Sequence, residues 1–341
     1  MKTILFFNNK GGVGKTTLAC NIVSYLSMDM NKRVLLIDAD PQCNSTQMML
    51  SDQLCEDIYV DTKTKIQTLY DVLKPLENGD ASINEDIHPI LGTKNNFGTD
   101  IIPGHPNISI IEDILSDSWG KLRARDIGGL RITNWCHHLT SKFKDRYDYI
   151  IFDVGPSLGA LNRSIILECD YIITPFGCDI FSLLGIKNIS LWIKNWNRTY
   201  NKTIEDKIDE GKENTLDHYN IIKSTENKFR FAGFSVQQYI KRKFATGERP
   251  VKAYEEVMKE IPQTVDGAMH DFFIEGLNAI DYELGHIPYV NSLVPLSQMN
   301  KTPIHKLTSK TGLAGPQSKQ VKEYSELMKK ITTKIINNIE K

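Results

Sequence analysis

Residues 3–17 read TILFFNNKGGVGKTT, and this stretch decides the fold. Thr3–Asn9 is an apolar run closing in polar residues, the pattern of a strand buried on both faces of a parallel sheet. Gly11, Gly12, Val13 and Gly14 make a turn, and from Lys15 to about Met30 the residues Leu18, Ile22, Val23 and Leu26 recur at helical spacing. Arg33–Asp40 (RVLLIDAD) is a second buried strand that ends in two carboxylates. Strand, helix and strand in so short a span form a βαβ unit and hence a parallel sheet.

The turn between the first strand and the helix is a phosphate site. The pattern G-x-x-x-x-G-K-[ST] is met in a shifted form, with Asn9 where the first glycine would stand and an additional lysine, Lys10, at the start. Glycines let backbone N–H groups curl around phosphate oxygens, and the following helix adds its positive N-terminal end. The nucleotide-binding set is Gly11, Gly12, Val13, Gly14, Lys15, Thr16 and Thr17. Within it Lys15 is expected on the β- and γ-phosphates and the Thr16 hydroxyl on Mg²⁺.

Further along, Thr99–Pro103, Tyr147–Val154, Tyr171–Phe176, Phe231–Gln238 and His286–Val290 read as strands, with helical patterns between them. Residues 197–228 are the most hydrophilic stretch and read as a surface excursion, partly helical; residues 241–283 read as mostly helical. Residues 319–341 form an amphipathic helix with Val321, Tyr324, Met328, Ile331, Ile335 and Ile339 on one side. The expected architecture is a single doubly wound α/β domain over 1–341, mostly parallel, with helices on both faces, an elaboration at about 197–285 and a C-terminal helix.

The segment Lys10-Gly-Gly-Val-Gly-Lys-Thr-Thr resembles the deviant Walker A motif of the ParA/Soj family, in the ParA/MinD group of P-loop ATPases. Leu35–Gln42 (LLIDADPQ), followed by Cys43, Asn44, Ser45 and Thr46, is similar to the family's second acidic motif. Tyr149–Leu158 (YIIFDVGPSL) resembles its Walker B segment, and Cys169–Ile186 resembles the strand and helix that follow. The resemblance covers about 1–195 well and 286–341 loosely.

That resemblance implies a Mg²⁺-dependent ATPase acting as a nucleotide-switched homodimer, slow without a partner. It implies that Lys10 reaches the phosphates of the opposite subunit, that Asp40 orients the attacking water with Asp38 beside it, and that Asp153 holds Mg²⁺ through water. Gln237 and Gln238, and Pro288 in the segment HIPYV, lie where this group contacts the base. No N-K-x-D-like element specifies guanine, which leaves ATP as the expected nucleotide. Two departures stand out: Gly155-Pro156 replaces the usual Pro-Pro after the Walker B acid, and Tyr289, Val290 and Asn291 stand where basic residues are usual.

Composition bounds the job this switch performs. The 341 residues carry 41 Lys and Arg against 42 Asp and Glu, so the chain is not a basic nucleic-acid coat. A local patch is still open to it: residues 286–341 hold nine Lys against three Glu, and Lys241, Arg242, Lys243 and Arg249, with Lys252 nearby, are DNA-binding candidates. The first expectation is therefore plasmid or chromosome partitioning, with non-specific DNA binding in the ATP state and a ParB-like centromere-binding activator. A MinD-like membrane switch is the alternative, disfavoured because the C-terminal helix lacks Trp and Phe. A signalling or accessory ATPase is the third reading, with Trp119, Trp135, Trp192 and Trp196 either core or partner surface.

No apolar run approaches the ~18 residues of a membrane span. The six cysteines form no C-x-x-C pair, so the reading is a reduced, cytoplasmic protein, nucleoid-associated if it binds DNA, without an iron–sulfur cluster. Cys136 beside His137 and His138 sits in a helical context and reads as structural rather than metal-binding.

Overall fold

The computed structural model describes residues 1–61, 65–226, 228–239, 241–244, 247–250, 252–290 and 292–341; the side chains of 180, 238, 239, 241–244, 247–250 and 252–255 lie outside that description. The strands in chain order are β1 (Lys2–Phe6), β2 (Val34–Ala39), β3 (Asp100–Ile102), β4 (Tyr149–Val154), β5 (Tyr171–Gly177), β6 (Arg230–Tyr239), β7 (Lys241–Phe244), β8 (Gly247–Pro250) and β9 (Glu283–Pro288). Seven of them form one sheet in the order β3-β2-β4-β1-β5-β6-β9, with every pairing parallel. β7 and β8 form a separate antiparallel ribbon, so 241–244 and 247–250 are strand rather than helix.

The helices used below are α1 (Lys15–Met28), α2 (Asn44–Met49), α3 (Leu69–Glu77), α4 (Ile108–Arg123), α5 (Ala160–Glu168), α6 (Ile180–Asp209), α7 (Lys252–Met269) and α8 (Gly315–Glu340). The central strands read as unbroken apolar runs because both faces of the sheet are covered. Side chains alternate between two cores. Leu5, Leu35, Ile37, Ile150 and Phe152 face α3, α4, α5, α6 and α7, while Ile4, Phe6, Val34, Leu36 and Ile151 face α1 and α8. The expected doubly wound α/β fold is the observed one.

The C-terminal helix uses its whole apolar stripe in this packing. Val321, Tyr324, Met328, Ile331, Ile335 and Ile339 are all buried, and α8 lies against α1 and β9. That face is spent on the core and is not presented to a lipid surface. No helix among the described residues is long and apolar enough to cross a membrane.

The hydrophilic segment 197–228 is less of an excursion than its composition suggests. Its first part is the end of α6, a 30-residue helix, and Trp196, Tyr200, Thr203, Ile204 and Lys207 are buried along one side of it. Tyr200 donates to the Ile222 carbonyl (2.8 Å) and lies 2.9 Å from Asn134 Nδ2, which ties α6 into the domain. Trp119 and Trp135 are core as well, whereas Trp192 is exposed.

Cys136 is buried and its neighbour His137 serves Glu168, a carboxylate with little access to water. Glu168 accepts from Thr140 Oγ1 (2.6 Å) and Lys228 Nζ (3.0 Å) and faces His137 Nδ1 (3.0 Å). Burial works to raise its pKa, but the hydrogen bond from His137 and the Lys228 charge outweigh that and hold it below the usual range. Among the described residues no group of three or more His, Cys, Asp or Glu could hold a metal ion, and the cysteines are free thiols.

The chain's last third is pinned to α1 at His305. Asn21 Oδ1 accepts from the Ile304 N–H (2.9 Å), Lys306 pairs with Asp29 (2.7 Å), and the His305 ring lies over Tyr25. His305 Nε2 is 3.4 Å from Asp29 Oδ2, and burial, reinforced by the Lys306 charge, pushes its pKa down to about 4 despite Asp29. The unfolded chain takes up this proton near the ordinary 6.5, while the folded chain resists it down to about 4. Stability from this site is therefore complete above about pH 6.5 and is lost as pH falls towards 4. Denaturant midpoints at pH 7.5 and pH 5 are expected to fall more steeply for the native chain than for His305→Gln.

Candidate nucleotide site

β1 pairs with β4 on one side and β5 on the other, so chain order reverses at β1. Ligands of open α/β sheets sit at that reversal, beyond the carboxyl ends of the strands. The loop Asn8–Gly14 occupies this position. Asn8 Nδ2 donates to the Pro175 carbonyl on β5 (2.7 Å), and its Oδ1 accepts from the Lys10 N–H (2.9 Å), which starts the curl of the loop. Gly12 (φ 74°) and Gly14 (φ 78°) take left-handed conformations that disfavour other residues.

Gly14 is the N-cap of α1, and the first turn has neither a side-chain cap nor an acidic residue. The opening N–H groups of α1 are thus left for an external anion. They face a cavity of about 580 Å³ lined by Lys10 to Thr17, Asp40, Gln42, Asn44, Gln47, Met48, Pro156, Gln298 and Lys301. A second cavity of about 210 Å³ shares Gly14 and Thr17 with the first and is lined by Leu18, Gln237, Ile287, Pro288, Tyr289, Val294 and Tyr324. A charged compartment joined to a smaller apolar one suits a nucleotide's phosphates and base.

The charged groups are ordered by the strand ends. Lys15 is 7% exposed and pairs with Asp153 Oδ1 (3.0 Å), and it also donates to the Val154 carbonyl. The other Asp153 oxygen accepts from Ser45 Oγ (2.7 Å). Asp38 is the register partner of Asp153 across β2 and β4, and both are fully buried. Burial, with the Asp153 charge beside it, pushes Asp38 up to about 7.

The two acids at the end of β2 part company here. β2 stops at Ala39, so the side chain of Asp38 still follows the strand's alternation into the α1 side of the sheet. There it accepts from the Thr46 N–H (2.8 Å) and Thr46 Oγ1 (2.7 Å), which fixes the start of α2. Asp40 has left the strand, lines the larger cavity and accepts from the Gln42 N–H (2.9 Å). Asp40 lines the cavity, whereas Asp38 does not and, through Thr46, holds the start of α2 in place.

Lys10 sits at the cavity mouth with its side chain 38% exposed and pairs with Asp179 Oδ2 (2.6 Å), the N-cap of α6. Burial tends to raise the Asp179 pKa, and Lys10 with the Ser182 N–H brings it below the usual range. Thr16 and Asp153 fit a Mg²⁺-bound phosphate in chemistry, a hydroxyl and a carboxylate beside an uncapped helix N-terminus. Lys241, Arg242, Lys243 and Arg249 belong to the β7–β8 ribbon, and their side chains, like those of Gln238 and Lys252, lie outside the described ones, as does residue 291. Sequence reasoning passed over Gln298 and Lys301, which reach the mouth from far along the chain. Lys301 is held there by the Gln47 carbonyl (2.8 Å) and Asp52 (3.0 Å).

The family model described as an AAA domain (AAA_31) matches residues 1–206. This chain belongs to the ParA/Soj family of P-loop ATPases. It is 34% identical over 189 residues to the virulence plasmid ParA family protein pGP5-D of Chlamydia psittaci, a match covering 55% of this chain and 62% of that one. It is 32% identical over 186 residues to the chromosome-partitioning ATPase Soj of Treponema pallidum, covering 54% and 60%. The matched region thus spans about three-fifths of these curated relatives. Among solved structures, protein DIP2308 of Corynebacterium diphtheriae superposes with a TM-score of 0.72 at 33% identity, covering 88% of this chain and 97% of that one. The ParA of pNOB8 bound to nonspecific DNA shares the fold at a TM-score of 0.54 and 18% identity, covering 99% and 98%.

Proposed function

We propose that this ParA/Soj family member is a Mg²⁺-dependent ATPase that works as a nucleotide-switched homodimer in DNA partitioning, binding DNA without sequence preference in the ATP state. The observation that carries the reading is the pair of lysines at one cavity. Lys15 lies deep, against Asp153, and Lys10 lies at the rim, on Asp179. Lys15 neutralises phosphates bound to its own chain, while Lys10, at the rim, would exchange Asp179 for a nucleotide on a facing copy. A second cation of this kind stabilises charge on the transferred phosphoryl group.

The surface around the rim supports the dimer. α6 packs so closely on the loop that a Cβ at Gly185 would meet Asn9 Oδ1 at 2.5 Å. Beside that contact α6 exposes Phe181 (68%) and Leu184 (52%), apolar side chains suited to burial between copies. Thr16 and Asp153, the latter through water, would hold Mg²⁺, which supplies positive charge to the phosphates when bound. Gln237 and Pro288 would contact the base in the smaller cavity.

The partitioning role is supported by what the relatives are named for and by the lysine excess of residues 286–341. A ParB-like centromere-binding protein is the proposed activator. DNA retardation with ATP and with ADP, at low and moderate salt, tests the reading: an ATP-dependent shift that weakens with salt is expected. Lys10→Ala should bind ATP normally yet lose both the shift and the ATP-dependent dimer seen by sedimentation. No shift in any nucleotide state removes partitioning, and a Lys10→Ala dimer with normal turnover removes the trans lysine.

A further inference from the structure

The loop Gly155–Gly159 runs from the Walker B strand β4 to α5 and touches the nucleotide cavity at three points. The Val154 carbonyl accepts from Lys15 Nζ, a Cβ on Gly155 would sit 3.4 Å from Asp40 Oδ1, and Pro156 lines the cavity itself. A glycine followed by a proline has little to hold it in register: Gly155 has no side chain to pack, and Pro156 has no N–H to donate. What holds it is Asn162. This side chain, 2% exposed, spends its amide on two carbonyls of the loop, Gly155 O at 2.8 Å and Ser157 O at 2.7 Å.

Asn162 is in turn fixed by α4. Glu112 on α4 accepts from the first N–H groups of α5, Ala160 and Leu161 (3.0 Å for the latter), and so anchors the helix start that carries Asn162. A Cβ at Gly159 would press on the Glu112 carboxylate, so glycine there leaves room for this contact. One residue beyond Asn162, the Arg163 guanidinium lies 4.7 Å from the Trp119 ring on α4 and 5.1 Å from the Trp196 ring on α6. The mount of Asn162 is therefore gripped on both sides.

We propose that Asn162 is a positioning residue for ATP hydrolysis: its amide holds the Gly155–Ser157 loop against Asp40, and Glu112 holds Asn162 in place. The proposal rests on the ATPase reading. The acid that orients water is useful only if the backbone facing it keeps its place, and a displacement of about 1 Å can cost about 10²-fold in rate.

Asn162→Asp tests this with no change of size. It replaces a two-proton donor by a group that repels both carbonyls. In the full-length protein, kcat for ATP is expected to fall about 10²-fold while KM moves by less than about threefold. Amide hydrogen exchange over residues 155–159 should accelerate more than exchange in β1 and β4, because the loss of the clamp is local. Glu112→Ala, at the rim of the same assembly, should show the same split to a smaller degree, and it carries both readouts if Asn162→Asp does not fold. Unchanged kcat and exchange overturn the proposal, as does a parallel loss of kcat, ATP affinity and melting temperature. A native protein that binds ATP without ever hydrolysing it overturns the ATPase reading instead, and the exchange result then decides the clamp alone.

Discussion

Lys15→Ala is expected to weaken ATP binding by at least about 10²-fold and to lower folding stability by about 3 kcal/mol. The first effect follows from removing the deep cation of the phosphate cavity among the described residues, whose charge-assisted bonds to phosphate contribute about 1.5–3 kcal/mol each. The second follows from what stays behind. Asp153 is fully buried, its other oxygen holds only Ser45, and Asp38 lies directly across in register. Deleting Lys15 leaves two adjacent buried carboxylates and no countercharge, the situation in which breaking an ion pair costs far more than forming one returns. The combination Lys15→Met with Asp153→Asn separates the two effects: it should recover most of the stability and none of the ATP affinity. Titration with a fluorescent ATP analogue and a denaturant melt on the same samples check both. Retention of ATP affinity by Lys15→Ala would place the phosphates elsewhere.

The same pair shows what a sequence can and cannot display. Lys15 and the glycines are legible because a phosphate loop is local: strand, turn and helix lie in fifteen consecutive residues, each with a backbone demand of its own. The strands are legible for an equally plain reason, since β1, β2 and β4 are buried on both faces and so written in unbroken apolar letters. The roles of Asp38 and Asp40 were not separable that way. They stand two residues apart, and their fates differ only because β2 ends at Ala39 between them. Strand ends are the least legible boundaries in a sequence.

The polar tail of α6 misled for the opposite reason. Among Asn, Lys, Glu and Asp, the spacing of Trp196, Tyr200, Thr203, Ile204 and Lys207 is helical, but composition hides it. Asn162, Glu112 and Lys301 leave no local trace, and Ser45 stands in a recognisable motif that does not reveal its partner. Ser45 matters to Asp153 across 108 positions and Glu112 to α5 across 48, distances bridged only by the sheet's crossover connections.

Asp40→Ala is expected to lower hydrolysis by about 10²–10⁴-fold while ATP binding persists, trapping the chain as an ATP-bound dimer. Asp40 is the acid that the end of β2 delivers to the cavity, 5% exposed, with one oxygen engaged by the Gln42 N–H and the Gly155 backbone close by. Its removal takes away an acceptor for a water proton but no partner of Lys10, Lys15 or the α1 N-terminus, so the groups that hold phosphate are intact. Folding should change little, because Asp40 anchors only one neighbouring N–H, whereas Asp38 and Asp153 are built into the interior. Sedimentation with ATP should show a dimer that outlives that of the native chain, and product release measured beside it should be nearly absent. Under the proposed trans role of Lys10, combining Asp40→Ala with Lys10→Ala should return the protein to monomers. Normal turnover in Asp40→Ala would pass the water-orienting role to another group. A dimer that survives the double change would mean that the exposed apolar face of α6, with Phe181 and Leu184, holds the copies together without the nucleotide bridge.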